Sequence, residues 1–236
     1  MRPVPLPPSR WNFDPAGWPD DDCVAGGADL APETIVDAYR HGAFPMPHGR
    51  QVLWWSPLER GVLGPGELRV SRSLRRSLAR FTITVDTDFA GVVKGCADPS
   101  RPGGWITRPI RAAYQRLFDL GHAHSIETRD EDGRLVGGLY GLGIGALFAG
   151  ESMFHRRTDA SKAALVGLVD VMSTLATAAE RVDGAPPDGA PQWLIDTQWR
   201  TPHLASLGVR TMPRPAYLDA IGALVDAPPP HWPSPE

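Results

Sequence analysis

Apolar periodicity divides the chain into an irregular first part and a regular remainder. In residues 1–65, Pro, Gly and Trp interrupt most apolar runs, and the pattern predicts one helix, with Pro32 in its first turn and Gly42 as its stop. Turn residues then bracket the stretch "GAFPMPHGRQVLWWSPLERGVLGPGE". We therefore predict a small N-terminal domain over residues 1–66 and a larger domain over residues 67–236.

Helical and strand periods alternate in the larger domain. It opens with a short helix capped by Ser71, the strand "FTITV", a helix over residues 89–96 and an amphipathic helix closed by Gly121. Residues 124–154 predict an antiparallel meander of three strands with an Asp-Gly turn. A long buried helix, a strand and a last helix follow, over "SKAALVGLVDVMSTLATAAERV", "WLIDTQ" and "PAYLDAIGAL". This order predicts an α+β fold.

The same order matches the core of GNAT-type (acyl-CoA N-acyltransferase) domains. We therefore expect a GNAT-like mixed sheet in the larger domain, as a fold-level analogy that does not establish chemistry. The usual coenzyme loop, Gln/Arg-x-x-Gly-x-Gly/Ala opening a helix, is not convincingly present. The glycines of "GLGIGA" lie between two predicted strands, where they favour a turn over a phosphate site. This combination suggests an acyl donor other than acetyl-CoA.

Composition places the chain among ordinary globular proteins. It has 236 residues, of which 42% are hydrophobic and 22% charged, and a net charge of −3, so a site for polyanions must be a local patch. No apolar run reaches ~18 residues and no apolar segment follows the first Met, so we predict neither a membrane span nor a signal peptide. Two cysteines without metal-type spacing predict reduced thiols in a cytoplasmic protein.

Carboxylates near the ends of two apolar strands are the first candidates for chemistry. In "QWLIDTQW", strand alternation sends Asp196 and Gln198 to the same face. Glu151 follows the apolar run "ALFAG". A single acid at a strand end is usually a solvated residue without a functional role. With two acids at corresponding strand ends, a solvated position and a functional site are equally favoured.

Four arginines mark a second candidate. Arg72, Arg75, Arg76 and Arg80 fall on a broad face of one predicted helix, and residues 70–85 contain no acid. A solvated helix face is one interpretation, and a patch for nucleic-acid phosphates is the favoured one. Tryptophans such as Trp105 serve either for packing or for base stacking, and composition leaves both uses open.

Other catalytic or metal sites are disfavoured. His122, His124 and Glu127 share strand spacing, but no further ligand follows at zinc-like spacing, so we predict no metal. No Gly-x-Ser-x-Gly motif is present, which disfavours a serine hydrolase.

Several blocks of the sequence resemble one family in order and spacing, over roughly residues 29–218. They are "HGAFPMP", "WWSPLERGVL", "WITRPIRAAYQRLFDLGHAHSIE", "VGGLYGLGIGALFAGESMFHRRTDASKAAL" and "LIDTQWRTPHLASLGV". Together they are similar to the leucyl/phenylalanyl-tRNA–protein transferases. The resemblance implies a bacterial cytoplasmic enzyme, expected to act as a monomer, that moves Leu or Phe (less readily Met) from aminoacyl-tRNA to proteins with N-terminal Arg or Lys, marking them for N-degron degradation. It also implies a GNAT-like fold without a cofactor or metal.

The resemblance also assigns site residues. Asp196 and Gln198 match the proposed catalytic pair: the Gln198 amide would accept a hydrogen bond from the attacking amine, and Asp196 would orient that amide and stabilise the developing ammonium. Glu151 suits the acceptor's amine or its Arg/Lys side chain. The expected substrate-binding set is Met46, Trp105, Tyr114, Leu139, Gly150, Glu151, Ser152, Met153 and Leu165. The charge pattern described above, rather than the resemblance, makes Arg72, Arg75, Arg76 and Arg80 the expected tRNA-binding set.

Within the substrate set, Leu139, Met153 and Leu165 are expected to form an apolar donor pocket, with Gly150 giving room. Trp105 matches one of two aromatics that enclose the terminal adenine in relatives. Met46 stands at the position of the other aromatic, which is a departure from the family pattern. Two alternatives stay open: an RNA-binding module that transfers nothing, and an acyl-CoA N-acetyltransferase.

Overall fold

The computed structural model describes residues 3–49, 51–101, 104–179 and 191–233. Within these ranges the chain begins with a small three-stranded sheet and one helix. Their bounds are β1 (Cys23–Gly26), α1 (Pro32–Arg40), β2 (Phe44–His48) and β3 (Gln51–Trp55). The elements that follow are β4 (Glu59–Leu63), α2 (Arg72–Leu78), β5 (Thr82–Val85), α3 (Phe89–Cys96), α4 (Arg108–Asp119), β6 (Ala123–Arg129), β7 (Leu135–Ile144), β8 (Leu147–His155), α5 (Ala160–Ala179), β9 (Leu194–Asp196), α6 (Pro202–Ser206), β10 (Arg210–Pro213) and α7 (Arg214–Leu224).

The smaller sheet corrects the expectation that the first part is irregular outside one helix. Its strands are antiparallel in the order β1-β3-β2. β2 contains Pro45 and Pro47, and two prolines in five residues are typical of a loop. The strand forms because it lies at the edge of the sheet, where a missing N–H is tolerated. The predicted helix is confirmed as α1, which has Pro32 in its first turn and is followed by Gly42 at φ +88°.

The larger sheet is mixed, which confirms the α+β prediction. Its order is β10-β4-β9-β8-β7-β6-β5, and every neighbouring pair is antiparallel except β8 and β9. The predicted meander is confirmed as β6, β7 and β8, with Gly133 at φ +76° in the first turn. β4 lies before residue 66, so the larger sheet takes one strand from the segment assigned to the N-terminal domain.

Helices cover both faces of this sheet. Consecutive residues of a strand point to opposite faces. A Cβ added at Gly137 of β7 would lie 2.6 Å from the Ala160 Cβ of α5, whereas one at Gly138 would lie 2.9 Å from the Val92 Cγ2 of α3. α5 and α3 therefore pack on opposite faces. α2 packs on α5, and α4 packs on α3.

The parallel pair β8 and β9 splits part-way along its length. Three residues pair in register, ending with Ala149 and Asp196, and β8 then continues to His155 while β9 stops. The prediction that the strand runs on through Gln198 is wrong, because Gln198 adopts a left-handed conformation at φ +57°. A gap therefore opens between residues 150–153 of β8 and residues 197–198.

The histidines singled out in the sequence have structural partners. The Nδ1 atom of His124 lies 2.7 Å from the Asp86 Oδ2 atom, and the His124 ring stacks on Trp232 at 3.8 Å. Trp232, in the proline-rich segment after α7, is buried. The described ranges contain no group of three or more metal-ligating side chains. They also contain no helix that is both long and apolar enough to cross a membrane.

Candidate active site

An apolar cavity of about 240 Å³ occupies the gap between β8 and β9. Leu139 and Met153 are paired across β7 and β8, and Leu165 approaches from α5. Six of the predicted substrate-binding residues line this cavity, namely Leu139, Gly150, Glu151, Ser152, Met153 and Leu165. The structure therefore brings together residues that lie on three separate elements.

A second, aromatic cavity of about 120 Å³ lies between the smaller sheet and the start of α4. The predicted residues Met46 and Trp105 both line it, together with Phe44 and Trp199. Trp199 was missed by the sequence reasoning. Its indole is 36% exposed, its ring centroid lies 5.1 Å from that of Phe44, and its Nε1–H donates to the Asp22 Oδ2 atom at 3.3 Å.

Glu151 and Gln198 line both cavities. They are the only two residues common to both linings within the described part of the chain. A molecule with an apolar end and a flat aromatic end, each in its own cavity, would therefore place its middle beside a carboxyl group and an amide.

The Glu151 carboxyl is buried and held by tyrosines. Tyr39 of α1 donates a hydrogen bond to its Oε1 atom, and the hydroxyls of Tyr39 and Tyr114 lie 3.1 Å apart. Burial raises the pKa of Glu151 to about 7, although the tyrosine hydrogen bonds favour the carboxylate. This group is therefore divided between its protonated and ionised forms near neutral pH. Tyr114, expected to touch substrate, is fully buried and lines neither cavity, so its place is behind Glu151.

Asp196 is buried next to the cavities and lines neither of them. It is fully buried and paired with Arg60 of β4, whose Nε and Nη2 atoms donate to its Oδ1 and Oδ2 atoms at 2.8 and 2.6 Å. The Tyr217 hydroxyl adds a third hydrogen bond at 2.9 Å. Burial alone would lower the pKa of Arg60, but the Asp196 carboxylate outweighs it and raises that pKa further above its ordinary value. The expectation that Asp196 faces the same space as Gln198 is therefore corrected: its carboxylate lines neither cavity.

Gln198 is instead held through its backbone. Its N–H donates to the Asp196 Oδ1 atom at 2.8 Å, and its carbonyl accepts from the Gly61 N–H at 2.8 Å. A Cβ at Gly61 would lie 2.8 Å from the Arg200 backbone N, so only glycine lets β4 approach this turn. A non-glycine residue at positive φ persists only where its surroundings hold it. The Gln198 side-chain amide makes no hydrogen bond to another described residue and faces both cavities.

The predicted arginine helix is confirmed as α2, with the Ser71 Oγ atom accepting from the Leu74 N–H, except that the helix ends at Leu78 and Arg80 lies in the turn after it. Leu74 is buried, and the Ser77 hydroxyl donates to Asp159, which anchors the helix. The four arginine side chains are exposed and form no ion pair with a described carboxylate. We call this set, Arg72, Arg75, Arg76 and Arg80, the α2 arginine surface.

Two family models match this chain. Residues 62–222 match the leucyl/phenylalanyl-tRNA protein transferase model, and residues 28–58 match the model of that family's N-terminal domain. The chain belongs to this family. It is 48% identical to the leucyl/phenylalanyl-tRNA–protein transferase of Thiobacillus denitrificans over 220 residues, which cover 90% of this chain and 87% of that protein. Its identity to the enzyme of the same name from Aromatoleum aromaticum is 49% over 199 residues, covering 82% and 77%.

Four residues of the site, Tyr39, Arg60, Trp199 and Tyr217, escaped the sequence reasoning. For Arg60 a signal existed, since an arginine in the run "ERGVL" is as costly to bury as Asp196. The sequence gives no such signal for the tyrosines, because a tyrosine on the apolar face of a helix is typical of a hydrophobic core.

Proposed function

We propose that this chain moves Leu or Phe, less readily Met, from aminoacyl-tRNA to the α-amine of proteins whose N-terminal residue is Arg or Lys. Membership of the transferase family supports the reaction. The observation that carries the proposal is the meeting of the apolar and aromatic cavities at Glu151 and Gln198. The acceptors so modified would enter N-degron degradation.

The two cavities suit the two ends of an aminoacyl-adenosine. The Leu or Phe side chain would occupy the apolar cavity, where the unbranched Met153 adapts to either shape. The adenine would occupy the aromatic cavity, stacked on Trp105 and Trp199, with the thioether of Met46 covering part of a face. The ester between the two ends then lies at the junction.

The chemistry at the junction needs no covalent enzyme nucleophile, because the donor is already an activated ester. The nitrogen of the acceptor's α-amine attacks the ester carbonyl carbon, a peptide bond forms, and the bond to the ribose oxygen breaks. One proton leaves the nitrogen and one reaches the ribose oxygen. Glu151, whose pKa is raised to about 7, is matched to taking the first and returning the second. The Gln198 carbonyl would accept a hydrogen bond from the attacking N–H and keep it in line.

Asp196 acts in this proposal as a positioning residue. Its contact to the Gln198 N–H, backed by Arg60 and Tyr217, supports the left-handed turn that presents the amide. Removing the carboxylate would therefore disturb the amide without removing a group that touches substrate.

Further parts of the proposal rest on shape and charge. The α2 arginine surface would bind tRNA phosphates without reading sequence. The split between parallel strands β8 and β9 supports a GNAT-like fold for the larger domain, with the small sheet as the N-terminal domain. The protein would act as a monomer in the cytoplasm, without a metal or cofactor.

A single assay tests the function. The protein is incubated with radiolabelled Leu-tRNA and a peptide that begins with Arg, and a peptide beginning with Ala serves as the control. The proposal expects labelled Leu-Arg peptide and no labelled Ala peptide. Two parallel measurements separate the alternatives: binding of Leu-tRNA without transfer would indicate an RNA-binding module, and acetylation of the peptide when acetyl-CoA replaces Leu-tRNA would indicate an N-acetyltransferase.

A further inference from the structure

A groove of about 410 Å³ lies between α3 and α4, separate from the two cavities of the site. Lys94 of α3 lines it from one side, and Arg108 and Arg111 of α4 line it from the other. Arg108, Arg111 and Gln115 follow one another at helical spacing, so they present a single face of α4 to the groove.

The three cations of this groove are not neutralised by the protein. All three side chains are exposed, no carboxylate lines the groove, and none of the three forms an ion pair or side-chain hydrogen bond within the described ranges. One end of the groove lies at the first turn of α4, a helix of 12 residues, where the helix dipole adds partial positive charge. In a chain of net charge −3, this is a local concentration of like charges suited to an anion with several negative groups.

A short segment of the chain connects the aromatic cavity with the groove. Trp105 lines that cavity, and Arg108 follows it by three residues, a span of at most ~11 Å even if fully extended. The segment is folded more tightly than that, because the Thr107 N–H donates to the Trp105 carbonyl at 2.9 Å. The preceding nucleotides of a strand whose last base enters the aromatic cavity would therefore be within reach of these cations.

We propose that the groove binds backbone phosphates of the single-stranded nucleotides that precede the terminal adenosine of the donor tRNA. The proposal rests on the function proposed above. The helix α2, which precedes or carries the residues of the α2 arginine surface, packs on α5, and α5 lies on the face of the larger sheet opposite to α3 and the groove. The two basic surfaces would therefore contact different parts of the RNA. The groove holds the 3′ end beside the reaction centre, and the α2 arginine surface holds a more distant part.

Donors of increasing length test this assignment. Transfer to an Arg-starting peptide is measured with phenylalanyl-adenosine, which has no phosphate, with phenylalanyl-CCA, the trinucleotide that ends tRNA, and with Phe-tRNA. The test variant carries Lys94→Gln, Arg108→Gln and Arg111→Gln together. The matched control is Arg116→Gln, an exposed arginine of α4 that does not line the groove.

The triple variant should lose roughly tenfold in kcat/KM with phenylalanyl-CCA and with Phe-tRNA at low salt, and the loss should shrink as salt rises. Its rate with phenylalanyl-adenosine should stay within about twofold of wild type, as should every rate of the control variant. A double variant of the α2 arginine surface, Arg75→Gln with Arg76→Gln, should lose activity with Phe-tRNA alone.

Unchanged rates with phenylalanyl-CCA would overturn the proposal, as would an equal loss with all three donors, which indicates a disturbed reaction centre. A higher KM for the acceptor protein alone would assign the groove to acidic protein segments instead. If wild type transfers from none of the donors, the proposed function fails, which is distinct from failure of the groove.

Discussion

Replacing Glu151 with Gln should remove a pH-dependent part of the folding free energy. Burial raises the pKa of Glu151 from 4.5 to about 7, so between these values the folded protein holds a proton that the unfolded chain has released. The stabilisation from this proton is complete below the unfolded pKa and is lost as the pH rises through the folded pKa. Since each pKa unit corresponds to about 1.4 kcal/mol, the loss amounts to about 3 kcal/mol.

The assay is urea unfolding of wild type and Glu151→Gln at pH 5 and at pH 8. The amide keeps an acceptor for the Tyr39 hydroxyl, so the variant should fold. We expect the difference in unfolding free energy between the two proteins to shift by about 2–3 kcal/mol in favour of the variant on going to pH 8. Glu131→Gln, at an exposed site, is the control and should show almost no such shift.

Identical pH dependence of wild type and Glu151→Gln would refute this reasoning, because it would mean that the carboxyl is not desolvated. Activity provides an independent readout. With rising pH, kcat/KM should increase more steeply for wild type than for Glu151→Gln, because wild type ionises Glu151, with a pKa of about 7, as well as the acceptor's α-amine, which titrates at about 8, whereas the variant keeps only the α-amine step.

Substitutions at three further positions test the rest of the site. Met153→Arg places a cation in the apolar cavity and should abolish Leu and Phe transfer in a folded protein; wild-type transfer of Leu would mean that the donor pocket lies elsewhere. Asp196→Asn leaves Arg60 without its charge partner, so unfolding in urea should show a loss of roughly 3–5 kcal/mol. Single-turnover transfer by that variant should fall more than donor affinity, and equal losses would reduce Asp196 to a structural role. Trp199→Ala should weaken phenylalanyl-adenosine binding by ~1–3 kcal/mol, and Trp199→Phe should restore most of it; unchanged affinity in Trp199→Ala excludes stacking.

Local signals explain the elements that the sequence predicted. The helices α1, α2, α3 and α4 each carry a cap, a first-turn proline or a terminal glycine beside a regular apolar stripe, and these act over a few residues. The meander likewise depends on a short turn at Gly133. Such features are readable because the residues that cause them are neighbours in the chain.

The features that escaped prediction depend on distant residues. Arg60 and Asp196 are separated by 136 positions, and the carboxylate that Arg60 holds also accepts the N–H of Gln198, which lies in a left-handed turn. In "LIDTQ" the alternation of a strand holds as far as Asp196, where β9 ends. Residues 197 and 198 instead form a turn that is hydrogen-bonded to the backbone of Gly61. Trp199 shows the same limit, because exposure of an indole beside Phe44 follows from the docking of two sheets.

The pairing of Arg60 with Asp196 and Tyr217 also determines when the reaction centre can form during synthesis of the chain. The arginine comes from the first third of the chain, and its two partners come from the last quarter. During synthesis the apolar cavity's strand β8 leaves the ribosome well before β9 and α7 do. A partly synthesised chain therefore lacks the contacts that hold the turn at Gln198, so the reaction centre forms only after β9 and α7 have emerged.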